Sequence, residues 1–290
     1  MSAHLLRESA LADMAGLTAR HPDIFRPASS RRAVGIAGVI VAVGLFVFGI
    51  VTLDVSWTRV LSGFGRLLDF AVLMVPPEYG TTARLLLYLR ALAETLAIAF
   101  LGTILAAIIA VPLGLLAASN VVASVMLRFT VRRGLDTVRG LDKLIWALIW
   151  IKVVGLGPFA GILAIMTTDI GIFGKLFSEA IEAADTRPGE GVASTGGSGL
   201  HGVRFGLLPG VLPVLASQVL YQIESNTRSA TIIGIVGAGG IGLHLSEQIR
   251  TLEWGHVSFL ILIVLVAVAL IDLVSSRLRF AIIGRAPGRG

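Results

Sequence analysis

The chain has 290 residues, of which 55% are hydrophobic and only 14% charged, with a mean hydropathy of +0.88; soluble globular domains carry about 25% charged residues. That balance excludes an ordinary soluble enzyme and points to the lipid bilayer, and the lack of any cysteine excludes disulfide and thiol chemistry. The net charge of +6 does not make a nucleic-acid footprint, because the basic residues are not gathered into one patch with interleaved aromatics.

In chain order, residues 1–32 are polar and charged, too long and too acidic for a cleaved leader, and read as a cytoplasmic tail carrying a short helix. Crossing a hydrocarbon core about 30 Å thick takes about 20 residues of helix. Residues 33–53 meet that requirement and form the first expected span. Residues 54–90 read as an external segment. Within it "WTRVLSGFGRLLDFAVLM" repeats apolar residues at helical spacing around Arg59, Arg66 and Asp69, which suits a helix lying in the membrane interface. Pro76 and Pro77 end that helix.

The second span, 95–118, mixes apolar residues with Gly102, Ala106, Ala107, Ala110 and Gly114, small side chains that let membrane helices approach closely. Four further apolar stretches follow, at about 145–154 with its flanks, 159–177, 207–223 and 257–274, making six spans in all. The arginines lie between spans: Arg7, Arg20, Arg26, Arg31 and Arg32 before the first, Arg128, Arg132, Arg133 and Arg139 after the second, Arg277, Arg279, Arg285 and Arg289 after the last. By the positive-inside rule these segments and both termini are cytoplasmic, which requires an even number of spans. The expected organisation is a tail at 1–32, the first span with its external segment at 33–90, a transmembrane core at 91–280 and a C-terminal tail at 281–290.

"TIIGIVGAGGIG", residues 231–242, fits G-x-G-x-x-G at Gly237, Gly239 and Gly242. A dinucleotide site also needs a parallel βαβ unit and an acidic residue about 20 positions on, whereas here the run leads into an apolar membrane segment. The glycines, Gly240 included, read better as a broken-helix segment lining a path, where a missing side chain permits sharp turns and close backbone approach. Just before it, "YQIESNTRSAT" places Glu224, Asn226 and Arg228 beside or within a membrane helix. Ionisable groups there are expensive and mark a path or a mutual pair. Glu224 and Arg228, four residues apart, also suit a structural pair. Asp169 is a second intramembrane acid, with Lys152 as its candidate counterpart. The five histidines are scattered, so no metal site is expected, and no P-loop or nucleophile elbow marks a catalytic centre.

The segment between the fourth and fifth spans carries Glu190, Gly196 six positions later, and Leu208-Pro209 at its end. Together with "GLGPFAGILA", "GKLFSEAIEA", "LPGVLPVLASQVLYQIESNTRSATIIGIVGAGGIG" and "DLVSSRLR", it resembles the permease subunits of bacterial phosphonate ABC importers, within the group that shares the methionine-importer-like fold. The resemblance runs from about residue 94 to 279. It departs from the family pattern at Gly191, where alanine is usual, at Gly206, where a large apolar residue is usual, and at Asp142-Lys143, where Pro-Glu is usual.

The resemblance implies an all-α polytopic protein of the type I ABC importer permease fold, in the inner membrane of a bacterium. It implies partners: a second copy of the chain, two ABC ATPase subunits docked on a coupling loop that includes Glu190, Gly191, Gly196, Leu208 and Pro209, and an extracytoplasmic phosphonate-binding protein. ATP and magnesium would then be held by the ATPase, with no cofactor in this chain and no enzymatic activity of its own. The rival readings are a permease for another solute such as methionine or phosphate, a secondary transporter with Asp169 as its coupling carboxylate, and a membrane-bound dinucleotide enzyme.

Overall fold

The computed structural model describes residues 14–20, 29–53 and 56–284; the outer parts of the expected tails, at 1–13, 21–28 and 285–290, lie outside these residues. Among the described residues every regular element is a helix. The chain divides into two units, 1–69 and 70–290.

The first unit holds α1 (Met14–Arg20), α2 (Ser29–Thr52) and the beginning of α3 (Trp57–Leu73). α2 keeps a run of 19 residues, Val34–Thr52, long and apolar enough to cross a bilayer. α3 alternates apolar residues with Arg59, Arg66 and Asp69 and buries none of its side chains, the pattern of a helix meant for an interface.

The second unit is a bundle of α4 (Thr82–Ala117), α5 (Val125–Arg139), α6 (Lys143–Val154), α7 (Pro158–Glu182), α8 (Arg187–Ser194), α9 (Gly199–Ile235), α10 (Ile241–Arg250) and α11 (Trp254–Ile283). Local chemistry sets the helix starts. Thr81 caps α4 by accepting from the Arg84 N–H, Ser124 caps α5 through Leu127, and Asp142 caps α6 by accepting from the Leu144 N–H at 2.8 Å. Pro158 occupies the first turn of α7, where its missing N–H is harmless. α4 runs on through Pro112 to its end.

Small residues then decide how closely α4 and α7 pack. Gly102, Ala106, Ala110 and Gly114 are all buried at a spacing of four. A Cβ at Gly102 would lie 2.8 Å from Ile165, and one at Gly114 would lie 2.9 Å from Phe177. The partners advance in step along both helices, so α4 and α7 run parallel. α9 runs the other way: Ile233 and Ala230 pack with Ile98 and Ile165 at one end, Val211 and Leu215 with Ala110 and Phe177 at the other.

Among the described residues, five helices are long and apolar enough to span a bilayer: α2, α4, α7, α9 and α11. The expected third span, around 145–154, is corrected by this. α6 has only 12 residues, about 18 Å at 1.5 Å per residue, and the Gly155-Leu156-Gly157-Pro158 break ends it. The return passage is instead made of two pieces. Arg132 pairs with Glu182, Leu135 packs on Gly174, and Arg139 abuts Gly171, so α5 lies antiparallel along the later half of α7; α6 continues along its first half, with Trp150 donating to Thr167. Other boundaries widen. α4 begins at Thr82 and α9 extends from Gly199 to Ile235, because Arg84, Arg90, Glu94 and the polar residues of "YQIESNTRSAT" are all accommodated within continuous helix.

Candidate functional site

At the middle of the bundle a hydrogen-bonded layer joins four helices. Asp169 of α7 has no exposed side-chain surface and pairs with Lys143 of α6, whose Nζ lies 3.2 Å from Oδ1. The same carboxylate accepts from Gln222 at 3.1 Å and from the Asn226 amide, both of α9. Asn226 also donates to Thr103 of α4 at 2.6 Å and accepts from Lys143. Above and below lie apolar layers centred on Ile98, Ile165 and Ile233, and on Ala110, Phe173 and Phe177. A buried charge that is paired and fully hydrogen-bonded costs far less than a lone one, and each oxygen of Asp169 has a donor here.

This layer corrects two sequence expectations. The partner of Asp169 is Lys143, not Lys152, which is exposed at the far end of α6. Asn226 does not join Glu224 and Arg228; two positions along a helix point to nearly opposite sides, and Asn226 faces the interior. Asp142-Lys143, a departure from the resembled family, supplies both the α6 cap and the charge for Asp169. Sequence reasoning missed Thr103, Lys143 and Gln222. A signal existed: an acid inside an apolar helix requires a cation, and Gln222 lies one turn before Asn226 on the same face.

Glu224 and Arg228 do meet, at 3.5 Å, but Glu224 is shared with Arg279 of α11 at 3.4 Å. Glu224 is 12% exposed and Arg228 51%. Arg228 lies on an outward stripe of α9 with Val214, Tyr221 and Ile235, each seven residues from the next.

The glycine run forms a joint at one end of the bundle. α9 ends at Ile235 and α10 starts at Ile241, with Gly237, Gly239 and Gly240 at φ of +106°, +83° and +72°. A Cβ at Gly234 would sit 2.5 Å from the Gly239 carbonyl, and one at Gly242 would sit 2.1 Å from the Thr231 carbonyl. Two of the turn's N–H groups are taken by side chains of the chain: Glu94 Oε1 accepts from Gly240 and Thr95 Oγ1 from Ile241, both at 2.8 Å. Gly157 donates to the Gly237 carbonyl at 3.0 Å, which ties the α6–α7 break to the same joint. The run before the glycines is helix rather than strand, and a carboxylate of the chain stands where a pyrophosphate would be cradled, so the dinucleotide reading fails on geometry. A pocket of about 300 Å³ opens beside the joint, lined by Glu94, Leu156, Pro158 and His244 among others.

At the other end a short hairpin projects between α7 and α9. α8 holds Glu190 in its first turn, where a negative charge complements the helix dipole, and Gly196 turns the chain at φ +82°. α9 then opens with a π-helical stretch, Gly202–Leu207, before Leu208 and Pro209. Gly206 has a packing reason: a Cβ there would lie 2.6 Å from the Cα of Gly189 in α8. Gly191 has open space around it. The hairpin borders a groove of about 300 Å³ lined by Asn120, Asp185, Thr186 and Glu190 among others.

Fold and site together define an all-helical, multi-pass membrane protein with a protruding hairpin at one end. Residues 110–285 match the family of binding-protein-dependent transport system inner membrane components. This chain belongs to that family. It is 38% identical over 254 residues to HtxC of Stutzerimonas stutzeri, named as a phosphite transport system permease protein, covering 88% of this chain and 89% of the relative. It is 32% identical over 239 residues to the phosphite transport system permease protein PtxC of the same organism, covering 80% and 86%. Among solved structures, an inward-facing MetNI methionine ABC transporter aligns with a TM-score of 0.61 at 21% identity, over 70% of this chain and 99% of that chain, which establishes the importer permease fold.

Proposed function

We propose that this chain is the membrane-spanning permease subunit of an ATP-driven bacterial importer for a phosphonate or a related phosphorus oxyanion such as phosphite. The α8 hairpin is the observation that carries the reading. It is a short helix and turn held outside the bundle by Gly196 and by the close contact of Gly206 on Gly189, a surface suited to a soluble partner. The chain has no P-loop, so the energy comes from elsewhere: two copies of a separate ABC ATPase, which hold ATP and magnesium, dock on the hairpins of two permease copies. The distribution of the arginines supports a cytoplasmic position for the hairpin end and both termini. The glycine joint then faces outward, toward an extracytoplasmic binding protein that delivers the anion. The α9 stripe bearing Arg228 meets its counterpart in the second copy, where a planar guanidinium on each side offers paired hydrogen bonds to a passing oxyanion. The substrate class is supported by the names of the relatives and by the motifs of residues 155–164 and 208–242.

An ion-coupled secondary transporter finds less support, because its candidate carboxylate, Asp169, is already paired with Lys143, Gln222 and Asn226. The test is reconstitution in proteoliposomes with the ATPase and the binding protein. Glu190→Arg and Gly196→Pro should each insert in the membrane yet lose substrate-stimulated ATP hydrolysis and uptake of phosphite or phosphonate. Unchanged assembly and stimulation in both variants would remove the hairpin from coupling.

A further inference from the structure

Asp272, Ser275 and Arg279, in the stretch "DLVSSRLR", lie at i, i+3 and i+7 of α11 and so share one face of that helix. Ser275 is buried, which turns the face toward the bundle. From it Arg279 reaches α9: its Nη1 and Nη2 lie 3.4 and 3.5 Å from Oε2 of Glu224. The other oxygen of that carboxylate, Oε1, is 3.5 Å from Nη1 of Arg228, one turn further along α9.

One carboxylate therefore serves two guanidiniums, one on each of its oxygens. All three contacts are at the long end of the hydrogen-bond range, so Glu224 commits to neither arginine as it would in a short, two-bonded pair. Glu224 carries a single negative charge, which leaves one positive charge in excess between Arg228 and Arg279. Asp272 approaches Arg279 from the side away from Glu224, at 3.9 Å, but its side chain is 57% exposed, and so long a contact to an exposed carboxylate is heavily screened. The four groups make a chain of alternating sign in the order Arg228, Glu224, Arg279, Asp272. Its cationic end is Arg228.

We propose that Arg279 is a positioning residue for the anion: by offsetting the charge of Glu224 from α11, it leaves Arg228 with net positive charge to offer a passing phosphorus oxyanion, which rests on Arg228 lining the path as the importer reading has it. Without Arg279, Glu224 and Arg228 are a neutral pair four residues apart on one helix, and an anion meets only a dipole. Without Glu224, both arginines stand uncompensated and hold an anion too tightly for a conduit that must release it. The reach of Arg279 from α11 to α9 sets the charge between these limits.

The test uses the full chain in detergent, with neither ATPase nor binding protein, and reads the broadening of the phosphorus NMR line of millimolar phosphite. Arg228→Gln should abolish the broadening. Arg279→Gln should weaken the apparent affinity about five-fold, the scale of one partly screened charge. Adding Glu224→Gln to Arg279→Gln should restore the affinity to at least that of the wild type, and Arg279→Lys should keep it. Loss without rescue in the double variant would overturn the offsetting role, because a purely structural arginine, or one that touches the anion itself, is not replaced by removing Glu224. Wild-type affinity in Arg279→Gln would overturn it equally. Where the thermal midpoint shows that Arg279→Gln fails to fold, Glu224→Gln alone decides: it should bind phosphite more tightly than the wild type, and equal or weaker binding would sink the proposal. No broadening by the wild type, or none lost in Arg228→Gln, would remove Arg228 from the path and the role of Arg279 with it. Loss in Arg228→Gln beside an unaffected Arg279→Gln would strike Arg279 alone and leave the importer reading standing.

Discussion

The middle layer and the glycine joint hold the same helices by opposite means. Around Asp169, α4, α6, α7 and α9 are joined by side chains that reach: a carboxylate, an ammonium, two amides and a hydroxyl. At the joint, α9 folds back on α10 and meets the α6–α7 break because side chains are missing. Gly234, Gly239 and Gly242 bring backbone against backbone, and Glu94 and Thr95 reach across to the turn's N–H groups. Hydrophobicity does not drive helices together inside lipid, so close packing and hydrogen bonds must do it. This chain separates those two devices by depth. One fails when a partner is removed, the other when an atom is added.

The largest expected effect comes from removing one member of the middle layer. Lys143→Met leaves Asp169 buried without its cation, at a cost of about 3–5 kcal/mol. It should lower the thermal midpoint of the detergent-solubilised protein sharply, while Lys143→Met combined with Asp169→Leu should recover most of the loss. A double variant as unstable as the single one would mean that the layer acts through packing and not through charge.

The joint should respond to addition. Gly234→Ala places a Cβ 2.5 Å from the Gly239 carbonyl, and overpacking of this kind costs about 1–3 kcal/mol. Gly191→Ala, with open space around it, is the matched control and should change stability little. Equal midpoints for the two variants would show that the glycines are not in close contact.

The smallest effect is expected where a side chain at the joint is only retuned. Glu94→Gln keeps an oxygen to accept from Gly240 but gives up the charge that strengthens the bond, so the loss should be about 1 kcal/mol. Glu94→Ala leaves the N–H without an acceptor and should cost more. A reversed order would separate Glu94 from the stability of the turn whose Gly240 N–H it accepts.

The glycine joint was legible as glycine: Gly237, Gly239, Gly240 and Gly242 announce a backbone that turns sharply or packs closely, and they do both. The partners they pack against were not legible, because Glu94 and Thr95 lie 146 positions away and nothing local singles them out. The middle layer was half legible. Asp169 stood out as an acid in an apolar helix, but composition offered two lysines in the neighbouring segment. Only the course of α6 along α7, which sets Lys143 beside Asp169 and Trp150 beside Thr167, chooses Lys143 over Lys152.

Composition and hydropathy by themselves determined that the chain is helical and lives in a bilayer, because a long apolar run can satisfy its backbone in lipid only as helix. The motifs of residues 155–164 and 208–242 determined the family, and Gly196 determined the turn of the hairpin. Tertiary structure alone decided that the third apolar stretch is half a crossing completed by α5. A local window counts apolar residues and rejects charged ones, whereas α5 is kept at that depth by pairing its charges and by the contact of Leu135 and Arg139 with Gly174 and Gly171. It alone decided, too, that Asn226 turns inward while Arg228 turns out. Two residues two apart in sequence are neighbours in text but face opposite sides of a helix, and which side is the inside is set by the helices that pack against it.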